Sequence, residues 1–127
     1  MAKILILEDE ADLGELYRIV LGDLGHTVVG PFADPRDPLG EAREHRLERP
    51  IDLVLLDERL GLLSGSTYIE EFRSVFPCAK IALVSADPEA IEQGQEKGAD
   101  LVLKKPVPLA RLLECIASLL MEASNGQ

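Results

Sequence analysis

The chain has 127 residues, 46% hydrophobic and 28% charged, with a formal net charge of −10 and a pI near 4.6. That length suits one domain on one core, and that composition folds and stays in solution. The acidity argues against nucleic acid or an anionic membrane as main partner, and no apolar stretch is long enough for a signal peptide or membrane insertion, so a cytoplasmic location is expected.

In chain order, "KILIL" (3–7) reads as the first strand. Leu13, Leu16, Tyr17, Val20 and Leu24 recur at helical spacing and predict an amphipathic helix over 11–24. "TVVG" (27–30) is the second strand, and the four prolines of 30–50 restrict the second helix to a short one starting near Pro38. "IDLVLL" (51–56) reads as a third strand buried on both faces and ends abruptly on Asp57. Ile69, Phe72 and Phe76 mark a helix within 65–76, and "KIALV" (80–84) is the fourth strand. The fourth helix, 88–98, offers only Ala90, Ile91 and a gap at Gly94, so it is expected to be the most mobile. "DLVLK" (100–104) is the fifth strand, and Leu109, Leu112, Leu113, Ile116 and Leu120 predict a last helix over 108–122. The folded domain is expected over 1–122, with 123–127 a flexible tail. Cys78 and Cys115 lack metal-ligand spacing and are expected as core thiols; His26 and His45 are expected on the surface.

Apolar strands alternating with helices predict an α/β fold: a doubly wound five-stranded parallel sheet in the flavodoxin-like order 2-1-3-4-5, with helices on both faces. Sites in such sheets form outside the carboxyl ends of the strands. Those ends carry Glu8, Asp9 and Glu10 after strand one, Asp57 after strand three, Ser85 after strand four, and Lys104 and Lys105 before Pro106 after strand five. Each feature alone is ordinary: an acidic triplet often opens a helix, a serine often sits in a turn, and paired lysines are usually surface. Their placement at four ends of one sheet is not ordinary. Glu8, Asp9 and Asp57 brought together repel one another unless a cation joins them, and Mg²⁺ suits an all-oxygen donor set. A carboxylate beside such an ion can act as a nucleophile toward a phosphoryl group. Lys105 can neutralise phosphoryl oxygens, better placed than Lys104 if its bond to Pro106 is cis, and the Ser85 hydroxyl can donate to them.

With "ILILEDE", "DLVLLDERLGLLSG", "IALVSA" and "VLKKP" in place, nearly the whole chain resembles the receiver domains of two-component response regulators. The resemblance implies that Asp57 accepts a phosphoryl group from a sensor histidine kinase or histidine phosphotransfer protein. It implies Mg²⁺ on Glu8, Asp9, Asp57 and the backbone carbonyl of Arg59, with Ser85 and Lys105 as the hydroxyl switch and the lysine. It further implies a regulatory phosphoacceptor rather than an enzyme, limited to its own phosphotransfer and autodephosphorylation. Because the chain stops soon after the fifth helix, output is expected through a downstream protein target without direct nucleic-acid contact. The surface of the fourth helix, fifth strand and fifth helix is the expected interface, and is compatible with a homodimer.

Three positions depart from the family's usual pattern: Glu8 for aspartate, Gly61 for a proline, and Val102 for an aromatic switch residue. Gly61 is expected to loosen its loop. Arg59 and Asp87, with Val102 the modulating positions, are expected to pair across the site mouth and obstruct the attacking water, prolonging the phosphoryl state. A phosphorylation-independent receiver-like adaptor is the alternative. A haloacid-dehalogenase-type phosphatase needs a second aspartate where Arg59 stands, and a flavin or nucleotide site needs a phosphate cradle where "EDEADLG" is acidic.

Overall fold

A computed structural model describes residues 1–47 and 50–125 of the chain. The elements follow in order: β1 (Lys3–Leu7), α1 (Ala11–Asp23), β2 (Thr27–Phe32), α2 (Arg36–Arg43), β3 (Leu53–Asp57), β4 (Arg59–Leu60), β5 (Leu63–Ser64), a 3₁₀ turn (Gly65–Tyr68), α3 (Ile69–Val75), β6 (Lys80–Ser85), α4 (Pro88–Glu96), β7 (Leu101–Lys104) and α5 (Leu109–Asn125). β2-β1-β3-β6-β7 form one parallel sheet, which is the expected order once the small β4–β5 ribbon is set aside.

β3 is buried at every residue, including Asp57. Large side chains on both of its faces require a layer of helices on each side. Leu39, Ala42, Ile69 and Phe72 from α2 and α3 pack with Leu5, Val54 and Leu56 on one face. Leu21, Leu112 and Ile116 from α1 and α5 pack with Ile4, Leu53 and Leu55 on the other.

The differences from the sequence reading have local causes. β2 runs to Phe32 because a register irregularity absorbs Gly30 and Pro31 and restores pairing at Leu7–Phe32. α2 starts at Arg36, with Pro38 inside its first turn, where a missing N–H costs nothing. The expected third helix opens as a 3₁₀ turn, and α5 continues to Asn125, into the expected tail, of which residues 126 and 127 lie outside the described residues. Cys78 is not a core thiol: Pro77 and Cys78 make the exposed turn between α3 and β6, while Cys115 is half-buried. His26 is half-buried, its Nδ1 accepting the Ala2 N–H at 3.1 Å, and His45 is exposed.

At the amino ends of the strands, Arg73 of α3 donates to the Ala79 and Gly98 carbonyls and pairs with Asp100 at 2.9 Å. Asp100 also accepts the Ile81 N–H at 2.8 Å, so one guanidinium joins α3 to the starts of β6 and β7. No helix among the described residues is long and apolar enough to cross a membrane.

Candidate functional site

β1 pairs with β3 from Ile4–Leu53 to Leu7–Leu56, and β3 pairs with β6 up to Asp57–Val84. These registers bring the carboxyl ends of three strands level. There Glu8, Asp9 and Asp57 each offer an oxygen, all within 4.8 Å of one another. They line an open cleft of about 730 Å³ with Arg59, Ser85, Asp87 and Lys105.

Among the described residues, the Asp57 side chain has two partners. Lys105 Nζ lies 2.7 Å from its Oδ1, and the Arg59 N–H donates to the carboxylate. Burial still raises the Asp57 pKa, against the opposing pull of Lys105. The carboxylate is 5% exposed, and that desolvation outweighs one partly solvated lysine. Burial works against the Lys105 charge, but its ion pair with Asp57 raises its pKa overall. The Lys105–Pro106 bond is cis, the condition under which Lys105 is expected to be better placed than Lys104. Lys104, by contrast, is exposed and does not line the cleft.

Glu8 is buried, and its Oε2 accepts the Glu10 N–H at 3.1 Å. Burial pushes its pKa up to about 7; the Glu10 N–H opposes this, and the negative Asp57 adds to it. Asp9 is exposed and accepts the Gly61 N–H at 2.8 Å. The donor set is all oxygen and its charge is only partly countered by Lys105, so it fits a hard divalent cation.

Ser85 is 2% exposed, and its Oγ accepts the Asp87 N–H at 2.9 Å. Asp87 in turn caps α4 by accepting the Glu89 N–H at 3.0 Å. Arg59 and Asp87 both line the cleft, but among the described residues no ion pair joins them. The Asp87 carboxylate instead caps the helix end through Oδ1. Val102 does not line the cleft. It is half-buried beside α4, where a Cβ on Gly94 would lie 2.5 Å from Leu83 Cδ2 and 3.6 Å from Val102 Cγ2. Gly94 is therefore not a gap in a thin helix but a buried position where α4 packs directly against the sheet.

The loop after Asp57 carries pairing of its own at its base. Arg59 pairs with Ser64 and Leu60 with Leu63. Glu58 clasps the far side: its Oε1 accepts the Ser66 N–H at 2.8 Å, its Oε2 accepts Ser66 Oγ at 3.1 Å, and its carbonyl accepts the Gly65 N–H at 2.7 Å. Glu58 and the buried Ser66 escaped sequence reasoning, because nothing in their spacing marks a contact eight residues apart. Gly65 passes so close to Asp57 that a Cβ would lie 2.1 Å from its carbonyl oxygen. Tyr17 of α1 is a further neighbour: burial, and then the charges of Glu8 and Asp57, push its phenol up to about 12.

Residues 4–117 match the model of the family described as response regulator receiver domain. The chain belongs to that family. Response regulator protein PilR of Pseudomonas aeruginosa is 34% identical over 122 residues, covering 93% of this chain and 26% of PilR. Response regulator receiver protein Anae109_2439 of Anaeromyxobacter is 30% identical over 116 residues, covering 90% of this chain and 47% of the relative. The chain thus spans half or less of these relatives. A CheY-like receiver domain protein from Methanospirillum hungatei has the same fold, with a TM-score of 0.87 at 24% identity, over 100% of this chain and 99% of that one. Receiver domains are regulatory phosphoacceptors rather than conventional enzymes.

Proposed function

We propose that this receiver domain is a Mg²⁺-dependent phosphorylation switch whose acceptor is Asp57. The observation that carries the reading is the buried Asp57 carboxylate held by Lys105 at 2.7 Å beside two further carboxylates. Glu8, Asp9, Asp57 and the Arg59 carbonyl would hold the cation, which supplies charge neutralisation to the phosphoryl oxygens when bound.

An Asp57 oxygen attacks phosphorus as the P–N bond of a donor phosphohistidine breaks, leaving an acyl phosphate here and a free imidazole on the donor. Lys105 holds the carboxylate in place and then balances the charge of the phosphoryl oxygens, while Ser85 Oγ donates to one of them. The donor is a histidine kinase or phosphotransfer protein in the cytoplasm. The output is a protein target reached through α4, β7 and α5, the same surface serving any homodimer. Residues 1–122 form the switching unit. A phosphorylation-independent adaptor is not favoured, because acceptor, lysine, hydroxyl and acidic pair are all retained.

The test is intact mass after incubation with acetyl phosphate and Mg²⁺, with Asp57→Asn alongside. One phosphoryl adduct, dependent on both Mg²⁺ and Asp57, is expected. A folded, Mg²⁺-binding chain that stays unmodified with acetyl phosphate and with phosphohistidine donors would overturn the reading.

A further inference from the structure

Asp9 makes a contact that its expected metal role does not require. Its Oδ2 accepts the Gly61 N–H at 2.8 Å, joining the end of β1 to a turn 52 residues away. Gly61 sits at φ +64°, in the left-handed region, and no atom lies within 4 Å of where its Cβ would be. The turn therefore uses glycine for its backbone angle and not for space. A proline here would lose both the angle and the N–H donor.

The tethered element has little else to fix its tip. β4 and β5 pair over two residues each, and an isolated ribbon of that size is marginal in water. The Glu58–Ser66 clasp secures its base, whereas at the tip Leu62 stands fully exposed. A hydrogen bond to an ionised acceptor is among the stronger kind, so Asp9 contributes much of the order at this turn.

We infer that Asp9 couples cation occupancy to the β4–β5 ribbon: it ties Gly61 while the acidic cluster holds no cation, and releases it when the cation takes the carboxylate. This rests on the metal reading above and extends it to an element that reading leaves passive. The divalent ion draws the Asp9 charge toward itself and weakens the acceptor that Gly61 uses. The ribbon tip, with Leu62, then moves free of β1. Linkage is reciprocal, so whatever Mg²⁺ does to the tether the tether does to Mg²⁺ affinity.

The test follows solvent exchange of the Gly61 amide by NMR in the whole chain, with Mg²⁺ binding measured by calorimetry on the same samples. Saturating Mg²⁺ is expected to speed Gly61 exchange about tenfold while β3 amides keep their rates. In Asp9→Ala the Gly61 amide is expected to exchange fast without Mg²⁺ and to ignore its addition. If Mg²⁺ binds and Gly61 exchange is unchanged or slower, the coupling is overturned and the metal reading stands. If calorimetry shows no Mg²⁺ binding at all, the metal reading falls and takes the coupling with it.

Discussion

Lys105 Nζ lies 2.7 Å from Asp57 Oδ1, an ion pair with one buried member and one partly exposed one. The pair restrains the Asp57 carboxylate at the floor of an open cleft. Removing the lysine leaves three carboxylates around one site with no side-chain cation in contact with Asp57. Lys105→Met is expected to raise the Asp57 pKa further and to cut formation of the phosphoryl adduct by about tenfold or more. Carboxyl-carbon NMR titration reads the first effect and intact mass the second; an unaltered Asp57 titration would count against the pair as the main restraint.

Glu8 makes the stability of the metal-free protein pH-dependent. Its ordinary value is 4.5 and its folded value about 7, so between these limits the folded chain holds a proton that the unfolded chain has lost. Stability therefore falls as pH rises through about 4.5 to 7, the reverse of a salt-bridged carboxylate. Glu8→Gln is expected to flatten that slope and to make the metal-free protein roughly 2 kcal/mol more stable at pH 8. Mg²⁺ competes with the same proton, so its affinity for the unsubstituted chain is expected to climb across that window. Urea unfolding at a series of pH values, with and without Mg²⁺, checks both statements.

Two glycines that look alike in the sequence differ in cost. A Cβ on Gly65 would lie 2.1 Å from the Asp57 carbonyl oxygen, which is backbone and cannot step aside. Gly65→Ala is expected to destabilise by about 3 kcal/mol and to weaken Asp57 phosphorylation as well. At Gly94 the obstacle is Leu83 Cδ2 at 2.5 Å, the end of a flexible side chain. Gly94→Ala is expected to cost only about 1 kcal/mol, because helix propensity returns part of the clash. Equal losses in chemical denaturation would contradict this ranking.

Arg73 joins three segments through Ala79, Gly98 and Asp100. Arg73→Ala is expected to lower stability by about 1–2 kcal/mol, with Lys recovering only part, since one ammonium cannot span the same three acceptors. Amide exchange at Ile81 and at residues 98–100 should quicken. Phosphorylation of Asp57, at the opposite end of the strands, should not change.

Much of this structure was legible in the residues. The runs at 3–7, 51–56 and 80–84 are too apolar for anything but a sheet covered on both sides, and the acids, the serine and the lysine that end them fall together for that reason. The β4–β5 ribbon was not legible. Its four paired residues carry no period, and it depends on Glu58 reaching Ser66 and Asp9 reaching Gly61, contacts that only the folded chain creates. Gly94 misled because propensity counts a helical glycine as a loss, whereas here it permits close approach. The charge of Asp87 suggested Arg59 as a partner, whereas the contact the fold gives it is the end of α4.

The exposed turn at Cys78 has a practical consequence. All five strands of the sheet run the same way, so the turn entering β6 lies at the opposite pole from the cleft that β6 leaves at Ser85. With Cys115 half-buried, the exposed thiol is a native attachment point. A chain anchored through it to a bead, a chip or a dye would keep its acidic mouth turned toward the solution.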